Sequence, residues 1–156
     1  MNIFLDEHIE ILTAILKHNV EFMLIGGYAV IIHGYRRTTG DMDLWLNPTN
    51  ENKEKLYNAL KEIQFNEDDL DFFSTLDFTT HLVFSIGSEP QKIDFITKIN
   101  TVEFQEANTH KIIYEFEGLF IPVINLKDLV LSKINTGRLK DKADIEELQR
   151  IQKYKK

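Results

Sequence analysis

Asp41-Met42-Asp43 concentrates more chemistry than any other stretch of this 156-residue chain. On a strand, side chains two apart share a face, so Asp41 and Asp43 project together, with Trp45 further along. Met42, Leu44 and Leu46 then point the other way, into a core. Two carboxylates about 4 Å apart repel by on the order of 4 kcal/mol at an effective dielectric near 20. A divalent cation resolves that conflict. Oxygen ligands with no Cys or His nearby suit Mg2+ or Mn2+ rather than zinc. Asp94, between Ile93 and Phe95, is a third acid in an otherwise apolar strand. Asp is a poor strand former and needs a partner there. An adjacent strand could bring it beside Asp41 and Asp43. Three carboxylates can hold two metals roughly 3.5–4 Å apart, an arrangement that serves in-line phosphoryl displacement. Asp94 is then the candidate general base for an attacking hydroxyl.

Gly26-Gly27 could supply the other half of such a site. A glycine turn between strand and helix lets backbone approach a phosphate and leaves N–H groups free for an anion. Arg36 and Arg37, just before the acid pair, could contact phosphate oxygens. Taken alone, a Gly-Gly pair is most often only a turn, and paired arginines suit a solvated loop. The weight lies in their order along the chain with the three acids.

Those residues need elements to hold them. Ile9, Leu12, Ile15 and Leu16 recur at helical spacing. Phe22-Met23-Leu24-Ile25 reads as a buried strand, followed by a short helix from Tyr28 to His33 that Gly34 closes. Residues 41–46 read as the strand of the acid pair, ended by Pro48, with Thr49-Asn50 capping a helix over about 51–63. Residues 78–86 and 91–96 read as strands around Gly87-Ser88-Glu89-Pro90, and 111–117 with 119–123 as a second hairpin around Gly118. Asn125 caps a helix to about Ile134, Gly137 breaks it, and a last helix spans roughly 139–153. The order predicts an α+β (α/β) fold, a mixed sheet flanked by helices. With no repeat or linker, residues 1–156 read as one domain: a sheet part over about 20–123 and a helical part over about 125–153.

Composition narrows the classes. Hydrophobic residues make up 43% and charged residues 28%, which fits a globular chain and not a disordered one. The absence of cysteine excludes a disulfide scaffold, a zinc finger and thiol chemistry. No apolar run is long enough to span a membrane, and the start shows no signal-peptide pattern, so the expected location is the cytoplasm. The net charge of −7 is uneven. From Lys127 onward nine basic and five acidic residues give +4, and residues 1–126 carry −11. The basic end reads as a solvated helix with a lysine-rich tail, or as a positive wall for a polyphosphate or RNA.

Other residues carry less. The five histidines share no metal-binding spacing, and His33 suits a structural role better than a site wall. No serine sits in a G-x-S-x-G turn. Phe72, Phe73, Phe78 and Phe84 suit core packing, and Trp45 is the aromatic best placed to meet a nucleobase.

The ordered set Leu24-Ile25-Gly26-Gly27-Tyr28-Ala29-Val30, Thr39-Gly40-Asp41-Met42-Asp43-Leu44 and Ile93-Asp94-Phe95 resembles the nucleotidyltransferase superfamily with the polymerase-β-like fold. Arg37-Thr38-Thr39 and the stretch from Leu126 to Ile145 look most like small bacterial abortive-infection-type, toxin-like members. The resemblance implies that Gly26 and Gly27 hold nucleotide phosphates and that Asp41, Asp43 and Asp94 bind Mg2+ or Mn2+. Asp94 would also activate the acceptor. Arg37, Lys133 and Lys140, with Arg138, are further candidates for nucleotide or acceptor contacts. The implied reaction moves a nucleoside monophosphate from a nucleoside triphosphate to a hydroxyl and releases pyrophosphate. The acceptor would be a small molecule, a protein or a tRNA end, and overall acidity favours a cationic small molecule or a protein. The small size leaves room for a homodimer or a cognate antitoxin. An alternative reading is a non-catalytic binding module of a toxin–antitoxin-type pair, and a weaker one a metal-dependent phosphohydrolase.

Overall fold

The computed structural model describes residues 3–154. Among these the order is α1 (Asp6–Lys17), β1 (Phe22–Ile25), α2 (Gly26–Ile32), β2 (Met42–Leu46), α3 (Asn50–Glu62), α4 (Glu67–Ser74), β3 (Val83–Ile86), β4 (Ile93–Ile96), α5 (Phe104–Thr109), β5 (Ile112–Phe116), β6 (Leu119–Val123), α6 (Leu126–Lys133) and α7 (Leu139–Tyr154). The strands form one mixed sheet in the order β3-β4-β2-β1-β6-β5. Three antiparallel pairs, β1–β2, β3–β4 and β5–β6, are joined by the parallel contacts β2–β4 and β1–β6. This is the expected α+β fold. Lys155 and Lys156, the tip of the basic C-terminal run, lie outside the described residues, as do Met1 and Asn2 of the N-terminal reading.

Local chemistry sets the boundaries. Thr49 caps α3 by accepting from the Asn52 N–H at 3.1 Å, and Asn125 caps α6 by accepting from the Asp128 N–H at 2.8 Å. Helix α1 buries Ile11, Leu12, Ala14 and Ile15. No described helix is long and apolar enough to cross a membrane.

Besides that for Phe72, four expectations need correction. Helix α2 begins at Gly26 rather than Tyr28. Helices α4 and α5 were not anticipated. Each is short and buries only two side chains, Leu70 and Phe73 in α4 and Phe104 and Ala107 in α5, so neither shows a readable period. Strand β3 begins at Val83 rather than 78, because Asp77 folds the chain into a turn by accepting from the Thr79 N–H at 3.0 Å and the Thr79 hydroxyl at 2.7 Å. Phe73, Phe78 and Phe84 do pack together, and Phe84 stacks on Phe95 with ring centres 5.2 Å apart, but Phe72 is exposed.

Trp45 is the fourth correction. It shares the face of Asp43, yet only 1% of it is accessible. Phe104 of α5 covers it edge-on at 5.2 Å, and its indole N–H donates to the Thr97 carbonyl at 3.1 Å. Its polar handle is therefore spent inside, and it does not reach a nucleobase.

Candidate active site

Strand register puts the acids together. Asp43 of β2 lies opposite Asp94 of the parallel neighbour β4, and opposite Ile25 of β1 on its other side. Paired residues on adjacent strands point to the same face. Asp43 and Asp94 are therefore next to each other. Asp41 precedes β2, where the Met42 N–H donates to the Lys92 carbonyl at 3.2 Å.

Gly26 is needed for two reasons. Its φ is +66°, a left-handed conformation that side chains resist, and an added Cβ would overlap the Asp43 carboxylate. A Cβ on Gly27 would overlap the Thr39 hydroxyl and lie 3.3 Å from Arg37 Nη2. The two glycines thus let the backbone between β1 and α2 run directly against the acid strand.

The acid edge is electrostatically unsettled. Burial first, then the charges of Asp94 and Asp41, push the Asp43 carboxyl up to about 7, with only partial relief from Lys133 and Arg138. Asp41 also suffers from burial, but hydrogen bonding to Glu89 and Lys92 outweighs it and holds the carboxyl below its usual range. Lys92 Nζ stands between two of the acids, 3.3 Å from Asp41 Oδ2 and 3.6 Å from Asp94 Oδ1, and Ser85 donates to Asp94. Among the described residues, Asp41 Oδ1 is buried and has no hydrogen-bond partner. Among the described residues, no three acid or imidazole side chains already stand at ligand spacing around one point.

Helices α6 and α7 close the other side with a chain of alternating charge. Arg37 grips Asp144 through Nε at 2.8 Å and Nη2 at 2.9 Å. Lys133 Nζ lies 3.0 Å from both Asp144 Oδ2 and Asp141 Oδ1. Asp141 Oδ2 then accepts from Arg138 Nε at 2.9 Å and from the Thr136 hydroxyl at 2.7 Å. Despite its burial, these bonds hold the Asp141 carboxyl down at about 2.

Two cavities flank Asp43 and Asp94. One, of about 350 Å3, brings Gly26, Gly27, Arg37, Asp41, Lys133 and Lys140 together with both acids. The other, of about 320 Å3, lies on the side of β3 and β4 beneath the α6–α7 turn. Gly26, Gly27, Arg37, Asp41, Asp43, Asp94, Lys133, Arg138 and Lys140 therefore border the same cleft. Arg36 is exposed and borders neither cavity. His33 is buried, with Nε2 2.8 Å from the Ile124 carbonyl, as suits a structural residue.

Lys92, Asp141, Asp144 and Thr39 were missed by the sequence reading. The signals were faint: Lys92 is two residues before Asp94 and so shares its side of the strand, and Asp141 and Asp144 are three apart on a helix.

A mixed sheet carrying a Gly-Gly turn against paired strand carboxylates is the architecture of nucleotidyltransferases. The chain belongs to the family described as "Nucleotidyltransferase of unknown function (DUF6036)", matched over residues 3–154. No curated protein matches its sequence. Solved structures share the fold. A candidate nucleotidyltransferase from Thermotoga maritima (TM1012) aligns with a TM-score of 0.58 at 14% identity, covering 96% of each chain. The lincosamide antibiotic adenylyltransferase LnuA, with lincomycin bound, gives 0.54 at 17%, covering 96% of this chain and 99% of its own. ANT(2")-Ia in complex with adenylyl-2"-tobramycin gives 0.50 at 12%, covering 92% and 91%.

Proposed function

We propose that the chain transfers a nucleoside monophosphate from a nucleoside triphosphate to a hydroxyl acceptor. The observation that carries this reading is the placement of Asp43 beside Asp94, directly against the Gly26-Gly27 turn and within a cleft walled by Lys133, Arg138 and Lys140. In this reading the sheet is the catalytic platform and the C-terminal helices are its cationic wall.

The acids suit a hard divalent cation. Among the described residues Asp41 Oδ1 is buried without a donor, burial and then its acidic neighbours push the Asp43 carboxyl up to about 7, and an ammonium already bridges Asp41 and Asp94. Asp41, Asp43 and Asp94 would hold Mg2+ or Mn2+. A cation held there would supply charge neutralisation to the triphosphate and make ionisation of the attacking hydroxyl less costly.

The chain's own residues do the rest. Gly26 and Gly27 let the phosphates lie close to the backbone. Lys140 and the exposed part of Arg138 contact phosphate oxygens. The acceptor oxygen attacks the α-phosphorus in line, forming a new P–O bond. The bond to the bridging oxygen breaks, and pyrophosphate leaves with that electron pair. Asp94 receives the hydroxyl proton and passes it to solvent. Arg37, locked onto Asp144, positions the loop beside Gly27 as well as bordering the phosphate cavity.

The test is calorimetric binding of ATP, CTP, GTP and UTP, with and without Mg2+, to the wild type and to Asp41→Asn/Asp43→Asn. Metal-dependent binding that the double variant loses is the expected result. Binding of no nucleotide under any metal condition overturns the reading in favour of a partner-binding module.

A further inference from the structure

The second cavity, beneath the α6–α7 turn, is the place to ask what accepts the nucleotide. It shares Gly26, Asp43, Asp94, Lys133, Arg138 and Asp141 with the phosphate cavity but extends away from Gly27, toward β3 and the end of β4. A hydroxyl entering here lies against Asp94 on the side of Val83 and Ile96. At about 320 Å3 the space is at the lower end for small-ligand sites, enough for one sugar-phosphate or nucleotide unit.

Its walls sort into engaged and unengaged groups. Ile25, Val83, Ile96 and Ile99 form the apolar part, with Val83 59% exposed. The Ser132 hydroxyl is spent on the Leu129 carbonyl, Thr136 on Asp141, and the Asn100 amide N–H on the Ile134 carbonyl. The Asp141 carboxylate is filled by Lys133, Arg138 and Thr136, and Asp94 is taken by Ser85 and Lys92. Asp43 lines both cavities and belongs to the floor of the cleft they share. The outer wall has no other carboxylate. Lys98 and His81 are exposed there, and among the described residues neither has an ion-pair partner. The chain as a whole carries −7, yet the mouth of this cavity presents the Lys98 ammonium and the His81 imidazole, with no ion-paired acid among the described residues.

We infer that this cavity is the acceptor subsite and that it takes a hydroxyl compound bearing a phosphate, with Lys98 and His81 as the groups that select for it. The inference rests on the nucleotidyltransferase reading and refines its substrate. It reverses the expectation from overall charge, which favoured a cationic acceptor. A polycationic aminoglycoside would meet like charge at the rim and find no unengaged carboxylate on the outer wall. A phosphate at the rim would meet Lys98, with the sugar ring lying on Val83 and Ile99 and a hydroxyl directed at Asp94. The phosphate could belong to a free sugar phosphate or to the end of an RNA strand, and the chemistry is the same.

The test uses the whole chain with Mg2+ and a non-hydrolysable ATP analogue. Ribose 5-phosphate, a short single-stranded RNA with a free 3′ hydroxyl, and tobramycin are titrated separately and followed by NMR shifts and calorimetry. Ribose 5-phosphate, the RNA or both should bind and tobramycin should not; which of the two binds identifies the source of the phosphate. Lys98→Glu should weaken the phosphate probe by roughly tenfold, Lys98→Arg should restore it, and both variants should bind the ATP analogue as the wild type does. Preferential binding of tobramycin, or an unchanged probe affinity in Lys98→Glu, overturns the inference. So does an equal loss of ATP-analogue affinity in that variant, which would make the cavity part of the nucleotide site. Binding of the ATP analogue with no response to either phosphate probe overturns the inference alone. Failure of the wild type to bind the analogue overturns the nucleotidyltransferase reading, and this inference with it.

Discussion

Two clusters of aspartates adjoin the cleft, and they are built on opposite principles. On α7, Asp141 and Asp144 are almost fully buried, and each is matched by cations: Lys133 and Arg138 for the first, Arg37 and Lys133 for the second. On the sheet, Asp41, Asp43 and Asp94 are more accessible yet poorly matched, with one bridging lysine, one orphaned oxygen and one carboxyl pushed up to about 7. Burial alone therefore does not mark a site. The satisfied cluster fixes the α6–α7 wall against the Arg37 loop, whereas the unsatisfied one keeps unspent affinity for a ligand that brings positive charge.

The sharpest break between them comes from removing one acid of each. Asp43→Asn should cut nucleotide transfer by about a thousandfold or more, in keeping with loss of a group that serves the transition state directly. Its melting temperature should hold or rise, since the change removes like-charge repulsion. Pyrophosphate release paired with calorimetry reads both. Asp144→Ala should do the reverse to the fold. It strands Arg37 and Lys133 without their counter-charge, and breaking such a buried pair costs about 3–5 kcal/mol. Urea denaturation measures that cost, and a loss below 1 kcal/mol would dissolve the contrast.

A smaller effect is expected at the hinge between the clusters. Gly26→Ala combines a left-handed backbone with overlap on Asp43, and should destabilise by about 1–3 kcal/mol while disturbing the site more than the core. Thermal unfolding with and without ATP and Mg2+ separates the two effects.

The finest contrast is pH dependence in the presence of a chelator. Asp141 titrates at about 2 when folded, below its ordinary value, so its contribution is present above about pH 4 and is lost as pH falls through 2. That amounts to roughly 2 kcal/mol. Asp43 has the opposite sign. Its folded carboxyl binds a proton up to about pH 7, so its contribution is present in acid and is lost as pH rises from about 4 to 7. Melting temperatures in chelator should therefore decline across that upper window, and Asp43→Asn should flatten the decline. An unchanged slope in the variant would assign the pH dependence elsewhere. His8 adds a weaker trend: burial lowers its value, so protonation below about pH 6.5 favours the unfolded chain.

The acids, the double glycine and the capped helices α3 and α6 were legible because each leaves a local signature. Asp-x-Asp reads as one face of a strand, Gly-Gly as a turn, and Thr49 and Asn125 as caps. The satisfied cluster was not legible. Arg37 and Asp144 are 107 residues apart, and nothing local distinguishes an arginine that will hold a phosphate from one that will hold an aspartate. Trp45 failed for a related reason: periodicity gives its face, but whether α5 covers that face depends on a six-residue helix with no period to read.

The sequence by itself determined the order of the elements other than α4 and α5, the mixed α+β class and the three acids, since dihedral preference, side-chain alternation and charge repulsion act over a few residues. Only the tertiary structure decided that β2 and β4 are parallel neighbours with Asp43 beside Asp94. It alone paired Arg37 and Lys133 with α7 and, among the described residues, left Lys98 and His81 without acidic partners. Each of these depends on which distant segments share a low-dielectric space, and the energy of a charge there is set by its neighbours in space rather than in sequence.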